Sequence, residues 1–213
     1  EECKIAVCAD VAGPPEIRPG LCWVEGDPTK ESELDKVRIG RAAAVIVAGA
    51  RRVSPQQADA VTLLTLFTIR SYLKKRDSRR VRHRPVYVVA EILDSENVEH
   101  ARAAGADEVI ETRRLGFSLL AHAVEHHGTA DMLSQVVLRA GTTLYVGRIP
   151  EEVTPTDFGT LVADLGRRAR GGLILGVADP KTGQALVNPP PDHPVDRSTC
   201  VLYLARERLL EGA

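Results

Sequence analysis

Residues 86–115 read VYVVAEILDSENVEHARAAGADEVIETRRL, and this stretch decides the fold. Its first five residues are apolar without alternation, which is typical of a strand covered on both faces in a parallel sheet. Glu91 follows that strand, and a helix is predicted over 95–104. Gly105 stands where a helix end falls, and a second short strand is predicted over 107–110. The stretch therefore predicts a strand–helix–strand unit with an acid at the carboxyl end of its first strand, where open α/β sheets bind ligands.

The bulk properties restrict the class of protein. The chain has 213 residues and a net charge of −1, which gives no overall attraction to nucleic acid or to an anionic membrane. Its longest apolar runs, 42–50 and 61–69, are far shorter than the about 20 residues of a membrane helix. The first ten residues, EECKIAVCAD, do not resemble a signal peptide. The four cysteines show no CxxC spacing, so we expect free thiols in a cytosolic protein.

Strands and helices alternate through the N-terminal half. Strands are predicted over 4–9, 21–25 and 43–48, and helices over about 29–39 and 56–75. Thr29 is the predicted N-cap of the first helix. A broad apolar face is predicted for the second helix from Val61, Leu64, Leu66, Phe67 and Tyr72. This alternation predicts an α/β fold with a Rossmann-like, doubly wound parallel sheet.

The pattern changes after residue 112. Two helices are predicted over 113–126 and 129–139, separated at Gly128, and they suit a crossover or dimerisation element. A β-α-β-β-β series follows, over 142–149, 156–169, 172–178, 184–188 and 199–205. The predicted organisation is therefore a Rossmann-like lobe over 1–112, a helical crossover over 113–140 and a small α+β lobe over 141–213.

Several segments together resemble the RCK domain, the regulator of conductance of potassium, also called the KTN or TrkA type. These segments are WVEGDPT (23–29), RAAAVIV (41–47), DAVTLLTLFTIR (59–70), VVAEILDSENVE (88–99), AGADEVI (104–110), GGLILGV (171–177) and LVNPP (186–190). The resemblance implies a cytoplasmic module that dimerises and assembles into a gating ring beneath a potassium channel or transporter, with an octameric ring as one alternative. Ligand binding to such a ring changes its shape and the open probability of the pore.

The sequence departs from that family in two places. No G-x-G-x-x-G turn is present, because Gly13 and Gly20 lie in a Pro-rich segment after the first predicted strand. The strand at 4–9 resembles the family's second strand, so its first strand–helix unit is either absent or supplied by residues outside this sequence. The family's calcium ligands match Ala48, Glu91 and Leu93 here, which leaves one carboxylate. Since Ca²⁺ takes about six to eight oxygen ligands, the family's calcium site is expected to be lost.

Five residues are candidate ligand contacts. Asp10 ends a strand where dinucleotide folds place an acid on the ribose hydroxyls, although a surface acid is the alternative. Gly26, Asp27 and Thr29 are expected to form a turn and a helix N-cap. This turn either has only that structural role or also lines a ligand cleft. Glu91 could contact an adenine nucleotide or NAD(H), hold a cation, or bind backbone amides of neighbouring loops.

Two other clusters have simpler explanations. His122 and His126 share a helix face beside His127, but no third metal ligand is identifiable, so an exposed or interface pair is favoured over a metal site. The basic residues between 74 and 84 suit a solvated connector, with lipid headgroups or phosphate as the alternative. No catalytic nucleophile and base, and no paired acids, stand in a recognisable arrangement.

The sequence therefore favours a cytoplasmic, ligand-sensing regulator of potassium transport over an enzyme. Its expected partners are a second copy of itself and a channel or transporter subunit at the inner face of the membrane, without nucleic acid. The alternatives are an NAD(P)-dependent oxidoreductase with a degenerate nucleotide-binding half, and an oligomerisation scaffold that binds no ligand.

Overall fold

The computed structural model describes residues 5–13, 19–51, 53–77, 85–137, 141–168, 172–179 and 184–212. The chain divides into two compact units, Glu1–Leu119 and Leu120–Ala213. This division falls inside a helix, and the three-part organisation into 1–112, 113–140 and 141–213 stays a prediction.

The first unit alternates parallel strands with helices. Its strands are β1 (Ile5–Ala9), β2 (Leu21–Glu25), β3 (Ala44–Val47), β4 (Tyr87–Ile92) and β5 (Glu108–Glu111). Its helices are α1 (Glu31–Lys36), α2 (Pro55–Asp77), α3 (Val98–Ala103) and the start of α4 (Thr112–Glu125), with short 3-10 turns at Ile39–Arg41 and Ser95–Asn97. Strand β1 pairs in parallel with β2, and β3, β4 and β5 form a parallel sheet in that order. The predicted α/β class is confirmed.

Helix α2 begins at a reciprocal cap. The Ser54 hydroxyl accepts a hydrogen bond from the Gln57 amide, and the Gln57 side chain accepts one from the Ser54 amide, both at 3.3 Å. Pro55 occupies the first helical position, where its lack of an N–H costs nothing. Neither this helix nor any other in the described part of the chain is long and apolar enough to cross a membrane.

The buried face of α2 is narrower than the sequence predicts. Leu66 and Tyr72 are buried in the core, as expected. Val61, Leu64 and Phe67 are exposed. Because successive helix residues are about 100° apart, Leu64 and Phe67 lie opposite the buried stripe and Val61 lies on its flank. The predicted broad apolar face is therefore wrong at these three positions.

Only one face of the β3–β4–β5 sheet is covered by the described residues. On β4, Val88, Ala90 and Ile92 are fully buried against the helices. On the opposite face Tyr87 is 48% exposed, and Ile46 of β3 is 78% exposed. The predicted burial of this strand on both faces is wrong for these residues, although their unbroken apolar sequence is that of a doubly covered strand.

An arginine of α2 fixes the turn that follows α3. Gly105 has φ +104°, a conformation that residues with a Cβ rarely adopt. Arg70 donates to the Gly105 carbonyl at 2.6 Å, to the Val86 carbonyl at 3.1 Å and to the Asp107 carboxylate at 2.7 Å. The same carboxylate accepts the Val88 amide at 2.6 Å. Arg70 therefore joins the start of β4 to the turn that begins β5.

The second unit is an α+β lobe. After the rest of α4 it contains α5 (Thr129–Val137), β6 (Thr143–Arg148), α6 (Phe158–Arg168), β7 (Leu173–Ala178), β8 (Ala185–Val187) and β9 (Cys200–Ala205). The strands form an antiparallel sheet in the order β6-β9-β7-β8. Leu161 and Leu165 of α6 pack on Val201 and Tyr203 of β9 in the core. The predicted β-α-β-β-β series is present.

Replacing Gly105 with alanine tests the contacts by which Arg70 fixes the turn after α3. A Cβ at this position would lie 2.5 Å from Cγ of Arg70, and the positive φ adds backbone strain. We expect Gly105→Ala to lower the free energy of unfolding by about 2 kcal/mol, measured by urea unfolding with the fluorescence of Trp23.

Gly116→Ala is the matched control, because Gly116 lies in α4 and a Cβ there would meet nothing within 4 Å. This variant should unfold with unchanged or slightly higher stability, by up to about 1 kcal/mol. Equal effects of the two substitutions would contradict the role given to Arg70.

Candidate functional site

The carboxyl ends of β1 and β2 bring four of the candidate residues together. Because the two strands are parallel and Ala9 pairs with Glu25, the residues that follow them lie side by side. The Gly26 amide donates to the Ala9 carbonyl at 2.9 Å, which places Asp10 next to Gly26. Asp10 is exposed and makes no hydrogen bond to another described residue.

The turn after β2 is held by its own aspartate. The Asp27 carboxylate accepts the Thr29 amide at 3.0 Å and the Thr29 hydroxyl at 2.6 Å, and Lys30 lies 3.4 Å away. Hydrogen bonding to Thr29, with a smaller contribution from Lys30, lowers the pKa of Asp27. A Cβ on Gly26 would lie 2.3 Å from a carboxylate oxygen of Glu33, so a larger residue here would have to displace the Glu33 side chain of α1.

The predicted helix-capping role of Thr29 is wrong. Lys30 is the N-cap of α1, and no side chain caps this helix. Asp27 captures the Thr29 hydroxyl in a local turn, which competes with capping. The Thr29 carbonyl accepts a hydrogen bond from the Thr68 hydroxyl of α2 at 3.1 Å, so the turn is attached to the long helix.

Glu91 lies at the carboxyl end of the other sheet, where it joins three segments. One oxygen accepts the Gly49 amide, beyond β3, at 2.8 Å. The other accepts the Thr112 hydroxyl, beyond β5, at 2.7 Å, and lies 3.0 Å from the Arg51 guanidinium. The residue is 7% exposed. Glu91 thus takes the third of its predicted roles, a carboxylate that binds groups of the neighbouring loops.

The surroundings of Glu91 favour its ionised form. Burial raises the pKa of its carboxyl group, but the hydrogen bonds from Thr112 and Gly49 and the charge of Arg51 together lower it below its ordinary value. Both carboxylate oxygens already bind protein donors, and Leu93 packs near Gly49 without offering an oxygen. The described residues contain no group of three or more His, Cys, Asp or Glu side chains that could hold a metal ion.

A second buried acid, Asp59, was not singled out from the sequence. It is fully buried in α2 and accepts the Leu93 amide at 2.9 Å, the Asp94 amide at 3.0 Å and the Asn97 side-chain amide at 2.9 Å. It therefore holds the loop that follows Glu91. The sequence did contain a signal for the burial of Asp59. This residue stands seven residues before Leu66 and therefore lies on the buried stripe of the helix.

The histidine and basic clusters have structural explanations. His122 of α4 and His126, just beyond the end of that helix, are exposed, and their rings lie 6.4 Å apart. Lys75 pairs with Glu31 at 2.6 Å, in a contact between α2 and α1. The basic residues at 79, 80, 82 and 84 lie outside the described residues.

The ionisation of Glu91 predicts a pH dependence of stability. Because its folded pKa is lowered, its contribution is present above the unfolded pKa of about 4.5 and is lost as pH falls through the folded value. We expect Glu91→Gln to lower the free energy of unfolding by about 1–3 kcal/mol at neutral pH, since the amide cannot satisfy the same donors. The deficit should shrink as pH is lowered to about 3 in urea titrations.

Glu99→Gln is the control, because the Glu99 side chain is exposed on α3. This substitution should change the free energy of unfolding by less than about 0.5 kcal/mol at any of these pH values. A Glu91→Gln deficit that stays constant with pH would contradict the ionised carboxylate described above.

Comparisons with known proteins agree with this fold. The family model of the calcium-activated potassium channel slowpoke-like RCK domain matches residues 15–110. The calcium-gated potassium channel TvoK of Thermoplasma volcanium is 27% identical over 136 residues, which are 62% of this chain and 36% of TvoK. The chain thus spans about a third of the length of this relative.

Two solved structures are also similar. The human SLO3 gating ring superposes with a TM-score of 0.71 at 13% identity, covering 97% of this chain and 41% of that one. The GsuK channel bound to NAD gives a TM-score of 0.41 at 22% identity, covering 93% and 31% of the two chains, and a score this low establishes no shared fold. The SLO3 likeness shows the fold, and the family match confirms the resemblance found in the sequence. The chain is therefore similar to RCK domains of the slowpoke-like type over residues 15–110.

Proposed function

We propose that this chain is a cytoplasmic, ligand-sensing gating-ring domain of a potassium channel or potassium transporter. The match of residues 15–110 to the slowpoke-like RCK family carries the proposal. The similarity to TvoK, a potassium channel, supports it. The partner would be a membrane subunit that holds the pore, on the same polypeptide or another, and the domain would lie at the inner face of the membrane. The relatives are channel proteins, which favours a regulator over an enzyme.

A regulator of this kind works because its ligand binds two arrangements of the ring with different affinities. A ligand that binds one arrangement of the ring more tightly than another shifts the population toward that arrangement. The shift can be no larger than the difference between the two binding free energies, which is typically about 1–3 kcal/mol in allosteric proteins. The ligand must therefore contact groups that the fold leaves available.

The two strand edges differ in what they leave available. At the β3–β4–β5 edge both oxygens of Glu91 are occupied by protein donors, which argues against a cation there. At the β1–β2 edge Asp10 is exposed beside the Gly26 turn. An acid at the end of such a strand is placed to accept the ribose hydroxyls of an adenine nucleotide or NAD(H). We therefore place the ligand at Asp10, Gly26, Asp27 and Thr29, and Glu91 would hold the ends of the neighbouring strands without contacting the ligand.

Thermal unfolding with candidate ligands tests this assignment. We expect NAD, NADH or ADP to raise the melting temperature, with stabilisation of about 2.7 kcal/mol when the free ligand is a hundredfold above its Kd. Asp10→Ala should remove the shift, because it removes the acceptor for the ribose. Ca²⁺, Zn²⁺ and Na⁺ should give no shift.

Glu99→Gln again serves as control, since it removes an exposed acid of α3 away from the strand edge. That variant should keep the full nucleotide response. A shift with Ca²⁺ alone would overturn the nucleotide assignment, and no shift with any of these ligands would favour the scaffold. In the complete gene product, the nucleotide should also change potassium flux into liposomes.

Helices α4 and α5 offer surfaces for dimerisation. Phe117, Leu120 and Val124 of α4 stand at i, i+3 and i+7 and are exposed, which forms one apolar stripe on the helix. On α5, Met132 and Val137 are exposed as well. We propose that residues 113–140 are the dimerisation element of the ring.

A charge at Leu120 of α4 or Leu133 of α5 should separate the dimer. Leu120→Glu and Leu133→Glu are each expected to give a folded monomer in sedimentation velocity, because a buried unpaired carboxylate strongly disfavours association. Ser118→Glu, on an exposed side of α4 away from the stripe, should leave the dimer intact. A dimer that persists in both leucine variants would show that the interface lies elsewhere.

A further inference from the structure

The backbone of the segment that follows β1 is held on both sides of Asp10. Before Asp10, the Ala9 carbonyl accepts a hydrogen bond from the Gly26 amide at 2.9 Å. After it, the Val11 carbonyl accepts a hydrogen bond from the indole N–H of Trp23 at 3.2 Å. Both donors belong to β2 or to the turn that follows it. Asp10 is therefore fixed against the neighbouring strand, while its own side chain is exposed.

The indole ring of Trp23 contacts this segment a second time, beyond Val11. In the sheet Trp23 pairs with Val7, and its side chain reaches from that row past the end of β1. A Cβ on Gly13 would lie 3.1 Å from Cδ1 and 3.2 Å from Cγ of the indole, so the backbone of Gly13 passes close over the ring. One side chain of β2 thus supports the segment at two points that both follow Asp10.

Burial of apolar side chains does not explain why this segment is held. Val11 is 59% exposed, and Ala12 and Gly13 are exposed as well. Trp23 itself is half-buried and is not one of the buried core residues of the unit. Fixing an exposed segment costs conformational entropy, which the burial of these side chains does not offset. The contacts of Trp23 therefore favour a role in placing Asp10 over a role in the hydrophobic core.

We propose that Trp23 is the positioning residue for ligand binding at Asp10. Its indole holds the Asp10 carboxylate where the ribose hydroxyls of an adenine nucleotide bind, and Trp23 itself does not contact these hydroxyls. This inference rests on the proposed function and adds a residue to that site. An acceptor that is held in place before binding loses less conformational entropy when the ligand arrives, so its support strengthens the affinity.

Trp23→Phe tests the proposal, because phenylalanine keeps an aromatic ring beside Gly13 and lacks the N–H that binds Val11. Isothermal titration calorimetry compares ADP with the analogue of ADP that lacks both ribose hydroxyls. We expect the variant to bind ADP about tenfold more weakly, which is ~1.4 kcal/mol, and to bind the analogue within about twofold of the wild-type affinity. The melting temperature should fall by no more than about 4 °C, as expected for the loss of one exposed hydrogen bond.

Tyr87→Phe is the matched control. It also removes one exposed side-chain hydrogen bond, from the Tyr87 hydroxyl to the Glu108 carboxylate at 3.1 Å, but at the start of β4 instead of the carboxyl end of a strand. This variant should bind both ligands as the wild type does. Equal weakening of ADP and of the analogue by Trp23→Phe would show a general structural effect and overturn the proposal, as would unchanged ADP binding.

Backbone nitrogen relaxation in nuclear magnetic resonance separates this proposal from the proposed function. Without ligand, the order parameters of residues 10–13 should be near those of rigid backbone, about 0.85, in the wild type and fall below about 0.6 in Trp23→Phe. The order parameters of β4 should not change. If the wild type binds no ADP, the nucleotide assignment fails, and the order parameters then decide the positioning role by themselves. A fall confined to residues 10–13 upholds that role, and equal values in the two proteins overturn it.

Discussion

The first unit depends on one buried carboxylate at the end of its central described strand. Glu91 accepts the Gly49 amide and the Thr112 hydroxyl and pairs with Arg51, so it joins the ends of β3, β4 and β5. A buried charge without partners would be strongly destabilising, but here three donors offset the loss of water. These contacts hold the segments beyond β3 and β5 against the end of β4.

Asp59 extends the same principle to the next loop. It lies in α2, yet it accepts two backbone amides and a side-chain amide from residues 93–97. The loop after Glu91 is therefore held from both the strand and the helix. Such acids stabilise the edge, and most of their hydrogen-bonding capacity is taken by protein donors. The presence of an acid at a strand end therefore does not by itself indicate a ligand site. Asp10 differs from Glu91 and Asp59 because its side chain is exposed.

The sequence predicted the elements well because their patterns are local. Strand β2 was placed at its observed bounds, and the helix predicted over 113–126 lies within one residue of α4. The helix predicted over 129–139 begins with α5 at Thr129, and its last two residues lie outside the described residues. What it could not predict were contacts between distant segments. The two hydrogen bonds that Thr29 donates to Asp27 displaced a plausible cap. The role of Glu91 depends on Gly49 and Thr112, which are far away in sequence. The exposure of Ile46 and Phe67 likewise depends on which segments cover the unit, which hydrophobic periodicity does not record.

Helix α2 contacts both the turn that follows β2 and the segments at the two ends of β4. At its start Asp59 holds the loop beyond β4, and further along Arg70 holds the turn before β5. On another side Thr68 binds the Thr29 carbonyl, and Lys75 pairs with Glu31 of α1. A ligand that moves the 26–29 turn therefore acts on the helix that positions both ends of β4. Because the helix is a continuous hydrogen-bonded rod, a shift at one contact changes the geometry of the others. This contiguity is the structural basis on which a nucleotide at Asp10 could alter the shape of a ring without contacting Glu91.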